Sequence, residues 1–347
     1  MSRAGGGQLA QLTLMRIREW LREPEAVFWT FFFPVLMALA LGFAFRERAP
    51  EPVQVGVVQG AVDPVVFESL RVSEQTTPRW LESTDVDAAL RDGEVALVVE
   101  AGPEGVVYRY DPTRPETRAA RLATDAVIQE AAGRRDVRPT RDVVVATRGS
   151  RYIDFLIPGL IGLNLLSTGL WGAGFAIVRM RTGKLLKRFM ATPMRRRDFM
   201  LSFLFGRLVF LVGELALLLG FAWLVFDVVV RGSLLAVLVI AALGAFAFNG
   251  LGVLIASRAR TTEGVSGLMN VASLPMWILS GVFFSYEHFP EIVHPLIRAL
   301  PLTALLDGLR AVMNDGASLA AIVPELAIVI AWGAACTGAA LAIFRWR

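Results

Sequence analysis

Gly183-Lys184 is the closest this sequence comes to a phosphate-binding loop. Such a loop requires Gly-x-x-x-x-Gly-Lys-Ser/Thr after a strand, because consecutive backbone N–H groups and the lysine ammonium together hold the phosphate oxygens. The upstream glycine is absent, Leu185 stands where the hydroxyl belongs, and the pair abuts a hydrophobic run, so the chain does not bind ATP by this device. His288 and His294 are six residues apart. Two metal ligands on one helical face want a spacing of three or four, so these read as interfacial polar residues. Cys336 is the single cysteine, which leaves neither a disulfide framework nor a cysteine-based metal cluster. No paired-carboxylate or Ser-His-Asp arrangement is legible. These residues point to no catalytic centre, no metal site and no cofactor bound by this chain; an intramembrane enzyme is left without support.

Four polar residues interrupt otherwise apolar runs: Asn164, Glu214, Asn249 and Asn270. Polar groups are costly in hydrocarbon, so each should face other helices or a wet path rather than lipid, as a pathway residue or a helix-packing residue. Three roles are open to Glu214: contact with a cationic substrate, pairing with Arg207 two turns earlier, or helix packing as a protonated acid.

The elements that must position these groups are membrane spans. Apolar residues make up 55% of the chain and the mean hydropathy is +0.54, a level that a soluble domain with a polar surface does not sustain. Crossing the hydrocarbon layer takes about 20 apolar residues in a helix. Six runs are about that long: Val27–Phe45, Ile153–Val178, Leu201–Phe226, Ser233–Ala256, Val265–Phe284 and Leu319–Phe344. A net charge of +4 does not signal nucleic acid, because the cations cluster beside spans rather than along one solvated face. Between spans two and three stand Arg179, Arg181, Lys184, Lys187, Arg188, Arg195, Arg196 and Arg197 against the single acid Asp198, and Arg258 and Arg260 follow span four. Basic short loops stay in the cytoplasm, which puts both termini there too.

Residues 1–26 read as a leader, amphipathic over Gln8–Arg22, with Leu9, Ile17, Trp20 and Leu21 on one side and Gln8, Gln11, Arg18 and Arg22 on the other, lying on the inner leaflet. Ala38-Leu39-Ala40 resembles a signal-cleavage site, but the long leader before it, with Glu19, Glu23 and Glu25, is unlike a short basic n-region. The first transmembrane helix is placed at 27–46. Residues 47–151 turn polar and are punctuated by proline, as expected of a small extracytoplasmic α/β domain inserted between spans one and two. Strands are predicted at Val53–Val58, Val95–Glu100 and Val106–Tyr110, and helices at Pro64–Val72, Asp85–Asp92 and Arg114–Ala132. Residues 152–347 form a five-helix transmembrane domain. Ser285–Ser318, with Pro290, Pro295 and Pro301 among apolar residues, reads as a re-entrant outer hairpin.

Two stretches go further. RMRTGKLLKRFMATPMRRRDFMLSFLFGRL, Arg179–Leu208, resembles the cytoplasmic loop after the second span of type-2 ABC transporter permeases in its glycine, its Leu-Lys-Arg run and Thr192-Pro193. SGVFFSYEHFPEIVHPLIRALPLTALLDGLRAVMNDG, Ser280–Gly316, is similar to that family's outer segment, with Phe289-Pro290, Leu-Pro-Leu-Thr, and the pair Asp307 and Arg310. Asp154-Phe155-Leu156-Ile157-Pro158-Gly159 is similar to the family's start of span two. The order of leader, span, extracytoplasmic domain and five further spans matches the subgroup with a large domain after the first span. Many relatives carry an acid ahead of the Gly-Thr pair in this loop, where this chain reads Arg179-Met180-Arg181-Thr182-Gly183-Lys184.

The resemblance implies a non-enzymatic permease half of an ATP-driven exporter in a bacterial inner membrane. Within the loop 179–200, residues Gly183, Lys184, Leu185, Leu186, Lys187, Arg188, Phe189, Thr192 and Pro193 are then the coupling helix, docked with the leader on cytoplasmic ABC ATPase subunits that bind ATP and Mg. It also implies a second permease copy or a paralogue, membrane lipid around both, and a hydrophobic or amphipathic cargo, drug-like first and lipid or glycan second. The competing class is a non-transporting membrane sensor that binds a ligand with its outer domain; a neighbouring ATPase gene would favour transport, a neighbouring kinase or regulator sensing.

Overall fold

The structure is a computed structural model that describes residues 4–46, 52–60, 62, 64–102, 105–134, 151–185, 196–259 and 261–344. It divides into two compact units: Met1–Arg46 with Ala146–Arg347, and Glu47–Val145.

In the first unit the helices are α1 (Ala4–Leu21) and α2 (Pro24–Ala44), then α6 (Tyr152–Thr182), α7 (Arg196–Phe226), α8 (Leu234–Ala256), α9 (Thr262–Leu279), α10 (His294–Arg298), α11 (Pro301–Asp315) and α12 (Val323–Ile343). Among the described residues five helices are long and apolar enough to cross a bilayer: α2, α6, residues Leu201–Phe226 of α7, α8 and α12. A sixth is reached if α10 and α11, joined at a bend of 87°, count as one broken span. The expected fifth span, Val265–Phe284, departs from this. Helix α9 stops at Leu279 and the chain turns at Ser280-Gly281, where Gly281 has φ +75°. With 18 residues α9 is long enough to span, but Glu263, Asn270 and its hydroxyl side chains leave it less apolar than those five.

Helices α6 and α8 lie mostly inside the unit, whereas α2, α7 and α12 present broad apolar faces outward. Because lipid tails are as apolar as leucine, helices in a bilayer are held by close packing, and small residues set the approach. Gly252 of α8 illustrates it: a Cβ there would stand 2.6 Å from the carbonyl oxygen of Leu170 and 2.8 Å from that of Gly169 on α6. Gly159 does the same at the other end, where a Cβ would stand 2.3 Å from the Val282 carbonyl oxygen.

Two spans contain π-helical turns, Phe28–Phe32 in α2 and Thr168–Gly172 in α6. A proline also breaks the backbone ladder of each span, Pro34 just after the first π turn and Pro158 ten residues before the second. Pro34 has no N–H to give the carbonyl four residues back, that of Thr30, and Pro158 likewise leaves the carbonyl of Asp154. Each orphan is taken by an asparagine of another helix: Asn164 Nδ2 donates to Thr30 O at 3.1 Å and Asn314 Nδ2 to Asp154 O at 3.1 Å.

The second unit is β1 (Val53–Val58), α3 (Pro64–Val72), β2 (Thr76–Leu81), α4 (Val86–Asp92), β3 (Leu97–Gly102), β4 (Gly105–Arg109) and α5 (Pro115–Ala131). The sheet order is β2-β1-β3-β4, with β1 parallel to β2 and β3 and β4 antiparallel to β3. Val55, Val57, Leu97 and Val99 pack against Leu70 of α3 and Ala120 and Ile128 of α5, while Val58, Leu81 and Val98 meet Val86 and Ala89 of α4 on the opposite face. Strand β2 was not foreseen. Its sequence, TTPRWL, lacks clean alternation and contains Pro78, which an edge strand tolerates because one side needs no ladder bond.

Candidate functional site

The basic connection between α6 and α7 holds the residues that the resemblance marks as the coupling helix. Helix α6 ends at Thr182 with Gly183 as its C-cap. Lys184 adopts a left-handed conformation, φ 57°, which ends the helix by redirecting the chain. Leu185 follows, 42% exposed, an apolar side chain at the surface. Leu186, Lys187, Arg188, Phe189, Thr192 and Pro193 lie outside the described residues.

The base of this connection is braced by cations that the sequence reading treated as topology signals or passed over. Arg16 of α1 is buried with its guanidinium 3.8 Å from the ring centre of Phe203 and 5.5 Å from that of Phe199, both on α7, and its Nη2 donates to Met180 Sδ of α6 at 3.4 Å. Burial lowers its pKa to about 10, partly offset by Glu19, so it remains a cation at neutral pH. One signal was available: Arg16 lies four residues from Leu12 and from Trp20, inside the apolar stripe rather than opposite it. Trp20 packs at a tilt against Phe210 of α7 and edge to face against Phe31 of α2, with ring centres 4.1 and 5.6 Å apart. Arg179 pairs with Glu23 at 2.9 Å. Arg181 donates to the carbonyls of Ala256, Ser257 and Ala259, the orphan acceptors at the end of α8, and stacks over Phe344. These contacts tie α1, α6, α7 and α8 together beside the start of the connection at Gly183.

Further into the bundle, Arg207 and Glu214 of α7 form a two-pronged pair, Nη1 to Oε1 at 2.6 Å and Nη2 to Oε2 at 2.7 Å, both side chains buried. Seven residues make two helical turns, which puts both groups on one face. Glu214 Oε2 also accepts from Asn164 Nδ2 at 3.2 Å. Since the same amide serves Thr30 O, both donors of Asn164 are used. Thr168 Oγ1 donates back to Asn164 O at 2.6 Å. The pairing with Arg207, one of the three roles open to Glu214, is present in the structure. Asn249 is buried on α8, which packs on the π turn of α6, and is not a member of this hydrogen-bonded group. Asn270 is exposed on α9, a face that the helices of its own chain do not cover.

At the opposite end, Phe289 and Pro290 lie in the turn before α10, with the Phe289 carbonyl bonded to His294 Nε2 at 2.9 Å; His288 Nδ1 bonds Ser285 O at 2.9 Å. Both histidines serve the hairpin's backbone. Asp307 accepts from Tyr286 Oη at 3.3 Å, and Arg310 stacks 3.6 Å from the ring centre of Phe155 while donating to Gly281 O. Arg310 therefore joins α11, the turn after α9 and the start of α6. Among the described residues no three metal-ligating side chains come together.

The family model described as "ABC-2 family transporter protein" matches residues 25–342. The chain belongs to that family. Similar proteins include the inner membrane transport permease YhhJ of Escherichia coli K12, 26% identical over 50% of this chain and 46% of that protein. The probable multidrug ABC transporter permease YbhS of the same organism is 25% identical over 51% and 47%, and ABC transporter G family member 20 of Dictyostelium discoideum 25% identical over 53% and 25%. The chain spans about half the length of its bacterial relatives and less of the third. This ABC-2 chain is thus a multi-pass membrane protein of the permease kind, and members of that kind work with ABC ATPases.

Proposed function

We propose that this chain is the membrane-spanning permease subunit of an ATP-driven exporter that moves a hydrophobic or amphipathic cargo, drug-like molecules first and lipids or glycans second, out of the cytoplasm or inner leaflet. The observation that carries the reading is the braced base at the ends of α1, α6, α7 and α8. A rigid base lets a force applied to residues 183–195 reach three spans at once. The protein sits in a bacterial inner membrane with six spans, the 179–200 connection and both termini in the cytoplasm, and the 47–145 domain outside. Leu185, Leu186 and Phe189 with their lysine and arginine neighbours make an apolar core with a charged rim, the usual composition of a transient interface. They dock on cytoplasmic ABC ATPase subunits, which hold ATP and Mg; this chain hydrolyses nothing. Two permease copies, or one copy and a paralogue, enclose the path. The motor must bind this segment differently in its open and closed forms, since equal affinity would shift nothing. The multidrug description of YbhS supports drug-like cargo.

The test is co-expression with a cytoplasmic ABC ATPase as candidate partner. Wild type co-purifies with it and transports into vesicles, whereas the Leu185→Asp, Phe189→Asp variant loses assembly and transport together. Unchanged assembly and transport in that variant would remove the coupling assignment.

A further inference from the structure

Helix α9 has two faces of different kinds. Its inward residues Val265, Met269 and Met276 are buried in the bundle, and the helix packs beside the bilayer-crossing α6 and α8, which puts it at membrane depth. On the opposite side Gly267, Asn270, Val271, Leu274 and Ile278 are all exposed, and intervals of three and four residues gather them into one stripe along the helix. Val271, Leu274 and Ile278 are 45–72% exposed, and a Cβ placed on Gly267 would meet no atom within 4 Å. An apolar stripe with an open glycine is a surface on which two membrane helices approach closely. It would serve lipid chains equally well, and Asn270 decides between the two.

Asn270 lies midway along α9. Of the four polar residues that interrupt the apolar runs, Asn164, Glu214 and Asn249 are buried and Asn270 is exposed; among the described residues its amide has no hydrogen-bond partner. An acyl chain offers neither donor nor acceptor, so lipid would leave that amide unsatisfied at full cost. An amide carries donors and an acceptor together, which makes it complementary to its own copy. Two chains inserted in one membrane with the same orientation relate by a twofold axis along the bilayer normal, and an isologous contact sets the same patch of each chain against the other. Where the two stripes cross at Val271, each Asn270 stands beside its counterpart. Protein on both sides also suits the lower apolar content that separates α9 from the five apolar spans.

We propose that the outward face of α9 is the contact between two copies of this chain, with the two Asn270 amides hydrogen-bonded to each other across the twofold axis. This rests on the two-copy arrangement proposed above and narrows it to a homodimer joined along one helix. The apolar outward faces of α2, α7 and α12 are then left to lipid.

Single-molecule photobleaching of the full chain in vesicles of phosphatidylethanolamine and phosphatidylglycerol reads the dimer as protein density rises. Wild type passes from one bleaching step to two, and Asn270→Leu needs about 3- to 30-fold more protein per lipid for the same change, the range for interhelical hydrogen bonds in membranes. Asn270→Gln, which keeps donor and acceptor, stays closer to wild type. The thermal midpoint of the Asn270→Leu monomer is unchanged, because the amide bonds nothing in its own chain. In a Cys336→Ser background, oxidation cross-links Val271→Cys and leaves Leu224→Cys on α7 and Ala331→Cys on α12 uncoupled, all three being exposed positions. Dimerisation of Asn270→Leu at wild-type density, cross-linking through α7 or α12 instead of α9, or a chain monomeric at every density would overturn the proposal. None of these results bears on ATPase coupling, which co-purification reads. Loss of ATPase assembly beside an intact Val271→Cys cross-link would sink the exporter reading and keep this interface.

Discussion

The side-chain amide of Asn164 donates to the backbone carbonyl of Thr30, filling the hydrogen-bond position that Pro34 leaves empty one turn later. A membrane helix has no water to satisfy such a carbonyl, so a neighbouring helix must supply the donor. Asn164→Ala should therefore lower stability by about 1–2 kcal/mol, the range for interhelical hydrogen bonds in membranes. Pro34→Ala restores the missing N–H and should recover part of that loss. Thermal unfolding of the four-member cycle in detergent checks it; an unchanged cost of Asn164→Ala in the Pro34→Ala background would show that the amide serves only Glu214.

The Arg207–Glu214 pair makes a second cycle. Removing one partner leaves a buried charge alone, a loss of about 3–5 kcal/mol, whereas replacing both by apolar residues is often neutral or better. Glu214→Leu and Arg207→Met should each be strongly destabilising, and the double variant should approach wild type in thermal midpoint. A double variant as unstable as the sum of the singles would mean that the pair is not the unit. Transport by a stable double variant would further show that neither charge touches cargo.

In the inserted domain, burial and then the hydrogen bond to Asp125 at 2.8 Å raise the pKa of the Tyr108 phenol. A raised folded pKa favours the protonated form. This contribution to stability is therefore complete below the unfolded value, about 10, and is lost as pH rises through the folded value. Melts between pH 9 and 12 should show a loss in wild type that is smaller in Tyr108→Phe, and tyrosinate absorbance should show one late-titrating group that the variant lacks. A normal titration of Tyr108 would exclude this contribution.

Orientation is checked by thiol labelling in a Cys336→Ser background. Ser83→Cys in the inserted domain and Thr182→Cys at the end of α6, both exposed positions, should label from opposite sides of sealed vesicles. Labelling from the same side would contradict the proposed placement of the domain.

Much of the architecture was legible in the residues because lipid imposes a simple rule: long apolar runs become helices whose backbone groups bond internally. Val27–Phe45 and Ser233–Ala256 are such runs, and the structure places helices Pro24–Ala44 and Leu234–Ala256 there. Alternation and punctuation likewise marked Val53–Val58 and Pro64–Val72, the residues of β1 and α3. Strand β2 escaped because its order comes from pairing with β1, not from its own pattern.

By itself, then, the order of residues determined what is periodic: which segments are oily, where the cations gather, and that Glu214 and Arg207 share a helical face. Only the tertiary structure decided which partner each polar group takes. Asn164, Thr30 and Glu214 stand on three helices, and Arg16 finds its two phenylalanines nearly two hundred residues away on α7. Periodicity is a property of neighbours along one chain segment, whereas satisfying a buried donor or cation is a property of which segments meet, and no local pattern encodes that.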